Sequence, residues 1–520
     1  MAEIINQYKP KFILPYSSEF SLNDRIADTK TDSSFNYKTS IVLKNVSTSF
    51  ANTLRRTFSS LCPTIIFSNK YHETESSNSI QIKENTSALH NEFLAHRLSL
   101  IPIKMNVINK DSAEEDERRN YYLNFETHLD ETTRKRQFKW LVDSLPVFKI
   151  LTKLATSVQN DIFDITTNNF DVTVDETVIG NLSDEFFPKD YFTGDHIVIN
   201  KLKLNLLLSE QRLMEKIHLK CIPEIGLGVN YSGHDPTGTV EYSFILDTDV
   251  KIKQVFEDKI KYMNIERSHK QLNEYNLQMD VEQEKYIDPE VQCLKQSFNL
   301  LDKYRVYKQN TNGNPAEFKI SVESIGFMTS DQIILDSTSF LLLQLYDIRD
   351  SLDINLNTFN VGILGDYLEI NDFTEDNIHE GLSIIIKEQT HTLGNLLQEY
   401  LRKSTNLLIA NYRMPHPAIN TVEFIVGISN KLSIERLMII LNKNIQRIEN
   451  GSGVIRKFAF KNADLNTSVT FEKDIVIKLM VITDFILAIN GSIKDLTDFI
   501  EEFKSKSSLI NTTYMSELDN

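Results

Sequence analysis

The carboxylates Asp247 and Asp249, in the stretch LDTDV, are the nearest approach of this sequence to a metal-binding catalytic pair. They follow a run of β-forming residues, and acids at i and i+2 of a strand point to the same side, so the pair could share a divalent cation. No third carboxylate or aspartate-rich loop accompanies them. Because a hard divalent cation needs several oxygen ligands, a solvated strand end is favoured over a metal site.

The cysteines, glycines and histidines give no stronger catalytic signal. Cys62, Cys221 and Cys293 are 159 and 72 positions apart (221 − 62 and 293 − 221), which excludes a cysteine-based zinc or iron–sulfur site. GLGVNYSG and GSGVIRK lack the spacing of a dinucleotide loop, so Gly226 and Gly228 are predicted to permit a tight backbone path. No metal and no cofactor are predicted. Five histidines lack the spacing of metal ligands: His96, His218, His234, His391 and His416.

The composition is that of a large globular protein. The chain has 520 residues, of which 41% are hydrophobic and 25% charged, enough for about three domains and a sizeable core. Its net charge of −16 argues against a general nucleic-acid-binding surface, which needs an excess of lysine and arginine. The sequence has no uninterrupted apolar run of about 18 residues, so no membrane span is predicted. The N-terminus lacks the apolar region of a secretory signal, and the cysteine usage fits a reducing compartment.

One segment of the sequence occurs twice. STSFANTLRRTF at 47–58 and THTLGNLLQEYL at 390–401 align without a gap at an offset of 343 (390 − 47 and 401 − 58). Each copy lies between short runs rich in Ile, Val and Leu, which are typical of strands. These runs are SIVLKNV and PTIIFS around the first copy, and SIIIKEQ and NLLIANY around the second. The pattern predicts a strand–helix–strand unit that is present twice.

Each copy carries one apolar stripe at the spacing of an α-helix. A hydroxyl at a helix start can accept a hydrogen bond from an otherwise unpaired N–H, which makes Ser49 and Thr392 the predicted N-caps. Asn52 and Asn395 then fall where a capping box would have its second member. The stripe residues predicted to pair the two helices are Phe50, Leu54 and Phe58 in the first copy and Leu393, Leu397 and Leu401 in the second.

The duplication has a physical rationale. A single strand–helix–strand unit has too few elements to cover both its helix stripe and its sheet face. Two such units can cover each other around a pseudo-two-fold axis, as the subunits of isologous dimers do. Joining the units in one chain raises the effective concentration of each for the other. The sequence therefore predicts an intramolecular dimer.

The residues around the first copy resemble a known family. ANTLRRTFSSLCPT, followed by NEFLAHRLSLIPI, is similar to the start of the α-like assembly subunit of multisubunit RNA polymerases. That class includes bacterial α, the archaeal D subunit and the third-largest subunit of eukaryotic polymerase II. The stretch from SIIIKEQTHTLGN to the PHP turn resembles the small partner, the archaeal L-type subunit. Further matches to the D-type subunit follow in order: FFPKDYFTGDHIVINKLKLN, KIHLKCIPEIGLGVNYSGHDPTGTVEYSF, YIDPEVQCLKQSFNLLDKYR and FKISVESIGFMTSDQIIL.

The resemblance implies an α+β fold, the RNA polymerase α-like dimerisation fold formed as an intramolecular pseudo-dimer of D-type and L-type halves, with an inserted, mainly β domain. The two subunits are separate proteins in most organisms, and their fusion resembles the polymerases of large DNA viruses. Residues 451–520 resemble no part of the family. They are predicted to form one or two amphipathic helices broken near Gly491, with packing on the core favoured and an extra partner surface as the alternative. The implied domains are a D-type dimerisation domain at 1–105 and 200–350, an insert domain at 106–199, a junction at 351–375, an L-type dimerisation domain at 376–450 and a helical extension at 451–520.

The resemblance also implies which side chains contact other subunits. The family uses the helix of the first copy to dock a large subunit. Arg56 lies about 200° around that helix from Leu54, so it is expected to point away from the core. The alternative is a solvated helix face for Arg55 and Arg56. For Glu92, His96 and Arg97 it is a helix cap or an internal ion pair. Arg413 ends a strand before the stiff PHP turn, which lies at a sheet edge where a partner could contact it. The residues predicted at the interface with the large subunits are Arg55, Arg56, Glu92, His96, Arg97, Arg413 and His416.

The function that the resemblance implies is that of a non-catalytic assembly subunit of a DNA-dependent RNA polymerase, because the family keeps catalysis on its largest subunits. The expected partners are the two largest polymerase subunits and other small ones, with little direct DNA contact, no membrane and no homo-oligomer. The expected location is intracellular: the host cytoplasm, a virion or the nucleus. Two alternatives stay open, a stand-alone protein–protein adaptor with the same fold and a nucleotidyltransferase built around Asp247 and Asp249.

Overall fold

The structure, a computed structural model, describes most of the chain. The described residues are 11–16, 38–67, 79–104, 125–129, 136–140, 147–151, 162–174, 177–180, 186–190, 193–205, 213–270, 272–280, 285–355, 360–363, 368–375, 379–429, 432–451 and 473–518.

Several helices begin where the sequence supplies an oxygen to cap them. Thr248, Asp288 and Thr329 each accept a hydrogen bond from a backbone N–H in the first turn of the helix that follows. Within the described residues the helices are α1 (Thr48–Ser60), α2 (Asn91–Ser99), α3 (Asp249–His269), α4 (Pro289–Leu301), α5 (Ser330–Asp350), α6 (His391–Arg402), α7 (Ile434–Gly451) and α8 (Lys473–Leu518).

The strands show the alternation that a half-buried sheet requires. In β13, Ile217, Leu219 and Cys221 are buried while the residues between them are half-buried. The described strands are β1 (Lys11–Tyr16), β2 (Lys38–Lys44), β3 (Pro63–Phe67), β4 (Ile80–Asn85), β5 (Phe125–Leu129), β6 (Arg136–Trp140), β7 (Val147–Leu151), β8 (Ile162–Thr166), β9 (Asp171–Val174), β10 (Thr177–Gly180), β11 (Val198–Asn205), β12 (Leu213–Met214), β13 (Ile217–Cys221), β14 (Pro223–Leu227), β15 (Thr237–Phe244), β16 (Met279–Asp280), β17 (Lys285–Tyr286), β18 (Glu317–Ser324), β19 (Leu352–Asn355), β20 (Asn360–Ile363), β21 (Leu368–Glu375), β22 (His379–Lys387), β23 (Ile409–Arg413) and β24 (Thr421–Ser429).

The C-terminal half of the chain contains a four-stranded antiparallel sheet in the order β21–β22–β24–β23. The central strands pair along their whole length, from His379 opposite Ser429 to Lys387 opposite Thr421. The helices α6 and α8 both pack against this sheet. The apolar side chains that β24 buries are Val422, Phe424, Val426 and Ile428.

The stretch 351–375, predicted as a polar junction, contains β19, β20 and β21. β21 pairs with β22 residue for residue, so the C-terminal sheet begins at Leu368, inside the predicted junction. The polar composition has a structural reason, because β21 is an edge strand whose Glu369 and Asn371 are exposed while Leu368 is buried.

The predicted insert domain, 106–199, is rich in strands where it is described, with β5 to β10 lying inside it. Part of it shares a sheet with strands outside that range, because one five-stranded sheet runs in the order β10–β9–β7–β13–β4. β13 pairs antiparallel with β7 on one side and with β4 on the other.

The chain divides into two compact units. The first comprises Met1–Tyr16, Ser40–Asn52 and Glu241–Ser321, and the second comprises the remaining residues. In the first unit, α3 and α4 enclose a small core of aromatic rings, in which the centroid of Phe256 lies 5.2 Å from that of Phe298. The other buried members of this core are Ile252, Ile260, Tyr286 and Val291.

The duplicated segment has the same local structure in both copies. β2 ends at Lys44 and β22 at Lys387, an offset of 343 (387 − 44), and α1 and α6 begin at the same offset (391 − 48). Between strand and helix, Asn45 has a φ of 57° and Glu388 a φ of 59°, again at corresponding positions (388 − 45). These are the two described non-glycine residues with positive φ. Each strand therefore enters its helix through one residue in the left-handed conformation.

The cap of each helix also occupies the corresponding position in the two copies. The Ser47 hydroxyl, immediately before α1, accepts a hydrogen bond from the N–H of Phe50 at 3.1 Å. Thr390 is the N-cap of α6 and accepts from the N–H of Thr392 at 3.4 Å. Both hydroxyls satisfy a first-turn donor that has no partner inside the helix.

The predicted caps Ser49 and Thr392 are wrong by two residues. Both lie inside the first turn, where the backbone is already helical, whereas a cap needs an extended backbone before the helix. Asn52 and Asn395 consequently lie more than one turn inside their helices, too far along to complete a capping box.

The helix α8, with 46 residues, is continuous through Gly491, so the predicted break there is wrong. A Cβ at position 491 would lie 3.0 Å from Cδ1 of Tyr400, and the glycine therefore permits a close approach of α6 rather than ending the helix.

Among the described helices, the part Lys473–Lys504 is long and apolar enough to cross a membrane, but 72% of its most apolar window is buried inside the protein. That extent of burial is typical of a core helix.

Candidate pairing and docking surfaces

The residues predicted to pair the two helices are buried. α6 packs against α8, β23 and β24. Direct contact between the two apolar stripes stays a prediction. The buried stripe residues are Phe50, Leu54 and Phe58 on α1 and Leu393, Leu397 and Leu401 on α6.

Polar side chains join α1 to the start of α6. Arg56 donates from Nε to Oγ1 of Thr392 at 2.8 Å, and Thr53 donates from Oγ1 to the Thr392 carbonyl at 3.4 Å. Thr392 is buried, with 3% of its surface exposed. The expectation that Arg56 points away from the core is wrong, because its half-buried side chain contacts the second copy of the repeat through Thr392.

A cavity of about 480 Å³ lies where the end of α1, the helix α5 and the start of α6 come together. Leu61, Phe340 and Leu393 contribute apolar walls, and Asp347 and Lys387 contribute charged ones. The N-terminal and C-terminal parts of the chain therefore meet around this cavity as well as at the Arg56–Thr392 bond.

The helix α8 packs against both parts of the chain, touching α5 of the N-terminal part and α6 and α7 of the C-terminal part. Its contact with α6 includes a hydrogen bond from Tyr400 Oη to Asp495 Oδ2 at 2.5 Å. The Ser404 hydroxyl, just past the end of α6, donates to Asp484 Oδ1 at 3.0 Å. Burial raises the pKa of the Asp484 and Asp495 carboxyls above their ordinary value. These contacts place residues of the predicted helical extension inside the core of the second unit.

Three of the predicted docking residues lie on the exposed side of α2. Glu92, His96 and Arg97 are all exposed. Arg97 donates from Nη2 to the carbonyl of Val198 at 2.9 Å, which fixes one end of the guanidinium on β11. The others are available to a partner or to solvent.

Two apolar residues that the sequence analysis did not single out lie on the same side of α2. Phe93 is 65% exposed, and Leu100, immediately after the helix, is 51% exposed. Together with His96 and Arg97 they stand at i, i+3, i+4 and i+7, which is one face of a helix. The sequence carries a signal for this face, because Phe93 and Leu100 are seven residues apart and Leu94 and Leu98, which are four apart, form a separate apolar pair.

Arg413, predicted to contact a partner, forms an internal ion pair. It contacts Glu423 on the neighbouring strand through Nε at 2.7 Å and through Nη2 at 3.2 Å, while Ser383 donates to the same carboxylate at 2.7 Å. The hydrogen bond from Arg413 holds the pKa of the Glu423 carboxyl below its ordinary value. Arg413 is thus held by Glu423, while 63% of its side-chain surface stays exposed, and its contact with a partner stays a prediction.

The remaining predicted docking residues differ in exposure. His416 is exposed in the turn after β23, and its Nδ1 accepts a hydrogen bond from the N–H of Ala418 at 3.1 Å. Arg55 is half-buried on α1. The proline-flanked turn therefore presents His416 on the surface, while the two arginines of α1 are partly enclosed.

The glycines of the GLG stretch serve backbone packing, as predicted. A Cβ on Gly226 would lie 2.3 Å from Nε2 of His234, and one on Gly228 would lie 3.0 Å from the carbonyl oxygen of Ser59. His234 is buried and contacts Thr64 through Nδ1 at 3.1 Å. Burial lowers the pKa of His234 from 6.5 to about 4. The histidine is therefore a neutral core residue at physiological pH.

Asp247 and Asp249 do not form a pair on one side of a strand. Asp249 is the first residue of α3, and Asp247 accepts a hydrogen bond through Oδ1 from the N–H of Thr248 at 2.8 Å. Among the described residues, no group of three or more His, Cys, Asp and Glu side chains is arranged to hold a metal ion. The carboxylate pair thus occupies a helix start, where negative charge is favoured by the helix dipole.

Comparison with known proteins identifies relatives of both parts. Residues 381–457 match the family described as the RNA polymerase Rpb3/Rpb11 dimerisation domain. The chain is 24% identical over 324 residues to DNA-directed RNA polymerases II, IV and V subunit 3 of Arabidopsis thaliana, covering 60% of this chain and 86% of that protein.

The chain is also similar to shorter RNA polymerase subunits. The chain is 36% identical over 62 residues to DNA-directed RNA polymerase subunit Rpo11 of Archaeoglobus fulgidus, covering 12% of this chain and 67% of that protein. It is also 33% identical over 82 residues to a probable DNA-directed RNA polymerase II subunit RPB11 of Plasmodium chabaudi chabaudi, covering 15% of this chain and 65% of that protein. The chain therefore belongs to the Rpb3/Rpb11 family of α-like RNA polymerase subunits, with a mixed α+β fold and similarity to both members of the pair in one polypeptide.

Proposed function

We propose that this chain is a non-catalytic assembly subunit of a DNA-dependent RNA polymerase, in which an N-terminal D-type part and a C-terminal L-type part pair within one molecule. The observation that carries the proposal is the seam between the two parts. Arg56 of α1 reaches Thr392 at the start of α6, and α8 packs on α5 and α6 together. Because α8 packs on both parts, it joins the D-type part and the L-type part into one rigid platform.

The proposed docking surface for a large subunit is the outer face of α2, defined by Glu92, Phe93, His96, Arg97 and Leu100. Its two exposed apolar side chains supply the area that a partner would bury. The charged side chains between them supply orientation, because polar groups around an apolar anchor fix the register of an interface. The turn that carries His416 is a second proposed contact.

The experiment is co-purification of the polymerase from cells that express tagged variants of the full chain. Phe93→Asp and Arg97→Glu together should reduce recovery of the two largest subunits at least about tenfold, since truncating a central anchor costs about 2 kcal/mol or more. The matched control is Lys261→Glu, an exposed charge reversal on α3 outside the proposed face. Recovery of both large subunits at the wild-type level with the α2 variant would disprove the docking surface.

The two alternatives predict different outcomes in the same preparation. A stand-alone adaptor would be recovered without polymerase subunits. A nucleotidyltransferase would show metal-dependent activity in the isolated chain that Asp249→Ala abolishes.

We place the working location in a reducing intracellular compartment such as a host cytoplasm, a virion or a nucleus, and the free thiols of Cys62, Cys221 and Cys293 support that assignment.

A further inference from the structure

A second surface lies in the first compact unit, between α3 and α4. There a cleft of about 680 Å³ is floored by the rings of Phe256, Tyr286 and Phe298. The rings belong to the buried core of this unit, so the floor is rigid. A cleft of this size, with an apolar floor and a few charged groups at its edge, has the general character of a binding site.

The edge of the cleft is basic. Lys253 on α3, Lys295 on α4 and Lys303 after α4 all line it. Lys295 lies over the Tyr286 ring, with Nζ 5.2 Å from the ring centroid. Within the described part of the chain, Lys253 and Lys303 form no ion pair, although the protein as a whole has a net charge of −16. Three ammonium groups around one apolar floor favour a ligand that carries negative charge.

The apolar surface continues beyond the cleft. Val250 is 79% exposed, Leu300 74% and Leu301 71%, and Tyr304 is exposed to a similar extent. Val250, Leu300 and Tyr304 are each adjacent in sequence to a residue that lines the cleft, namely Asp249, Asn299 and Lys303, and Leu301 follows Leu300 at the end of α4. Exposed apolar side chains grouped in this way extend over a wider area than a metabolite covers, and they indicate a protein partner.

We propose that the α3–α4 cleft binds an acidic segment of another protein, one that places an aromatic or aliphatic side chain on the ring floor and carboxylates against the three lysines. The cleft suits such a segment better than a nucleic acid or a polyphosphate. Carboxylates spaced along a peptide can contact the three lysines and avoid Asp249, which lines one side of the cleft, whereas a continuous row of phosphates would pass close to that carboxylate and be repelled.

The test is a peptide selection on the intact chain. The immobilised full-length protein is exposed to a random peptide library displayed on phage, and the strongest selected peptide is synthesised with a fluorescent label. Its Kd is measured by anisotropy against the wild type, against Lys253→Glu/Lys303→Glu and against the control Lys251→Glu/Lys261→Glu. The control makes the same charge change at exposed positions of α3 that do not line the cleft.

The expected result has three parts. The selected peptides are enriched in Asp and Glu interspersed with Phe, Leu or Trp, and the cleft variant raises the Kd at least about tenfold, as reversal of two facing charges should. The control variant changes the Kd less than about twofold, and thermal melting shows that both variants are folded.

Two results would overturn the proposal. One is a selection without acidic enrichment, or binding that the cleft variant leaves unchanged. The other is tighter binding of a single-stranded RNA of about 12 nucleotides than of the best peptide, which would reassign the cleft to nucleic acid. Neither result bears on polymerase assembly, which is tested through α2.

Discussion

The bond between Arg56 and Thr392 gives a direct test of intramolecular pairing. A protease site introduced between Ile363 and Leu368 lies between β20 and β21, so cleavage separates the chain into an N-terminal fragment with α1 and α5 and a C-terminal fragment with α6 and α8. The fragments should remain associated after cleavage, because the packing of α8 on α5 does not depend on a covalent link. Their dissociation constant then reports on the seam alone.

The size of the Arg56 contribution follows from its geometry. The 2.8 Å contact joins a charged donor to a buried hydroxyl, and such bonds contribute about 1.5–3 kcal/mol when enclosed. Arg56 itself is only half-buried, so solvent screening reduces the contribution to about 1 kcal/mol. Arg56→Ala should therefore weaken association of the cleaved fragments about fivefold.

The assay is a double-mutant cycle on the cleaved protein, with the dissociation constant measured by biolayer interferometry. Thr392→Val should have the same effect as Arg56→Ala, and the double variant should be no weaker than either single variant. The control is Ser59→Ala, which removes a 2.9 Å hydrogen bond to Asp235 within the N-terminal fragment and should leave association unchanged. Single-variant effects that multiply in the double variant would refute a direct contact, and fragments that separate on cleavage would refute pairing itself.

Three further predictions concern the stability of the full chain, measured by urea titration. Glu388→Asn should raise the free energy of unfolding by about 0.5–1 kcal/mol, because asparagine adopts a φ of 59° at lower cost; an unchanged midpoint would argue against left-handed strain there. Gly226→Ala should lower it by about 1–3 kcal/mol, since the new Cβ would lie 2.3 Å from the His234 ring, and a stable variant would contradict that packing. Because the pKa of His234 is lower in the folded protein than in the unfolded chain, the free energy of unfolding should be highest above pH 6.5 and should fall by about 3 kcal/mol as the pH is lowered to about 4. A His234→Gln variant whose free energy of unfolding falls as steeply over that pH range would refute this.

The sequence was a sound guide to the local structure of the repeat. Alternating β-branched runs on either side of a single apolar stripe leave little choice except strand, helix and strand, and both copies fold that way. The caps were harder to predict because each helix start offers more than one hydroxyl: Ser47, Thr48 and Ser49 in one copy, and Thr390 and Thr392 in the other. Only the position of the left-handed residue before the helix decides which hydroxyl precedes the first turn.

The direction of Arg56 could not be obtained from periodicity. A helical wheel gives the angle between a side chain and the apolar stripe, but it does not give the identity of the element that lies opposite. The same limit applies to Arg413, since nothing in the local sequence indicates that Glu423, ten residues further along, will be directly opposite it on the next strand. Non-local pairing of this kind is set by strand register.

The role of α8 illustrates how tertiary context gives meaning to an ambiguous sequence. Lys478, Asp484 and Asp495 interrupt its apolar pattern, so the sequence predicts an amphipathic helix packed on one face rather than a helix covered on several sides. In the fold, Lys478 forms an ion pair with Asp372, and the two acids accept hydrogen bonds from Ser404 and Tyr400. Each of these three charges thus has at least one polar partner, which lowers the cost of covering a single helix on several sides. Because α8 packs on α5 and on α6, we expect the pairing of the two parts to depend on residues after 472, with the covalent link adding proximity to a contact that packing already favours.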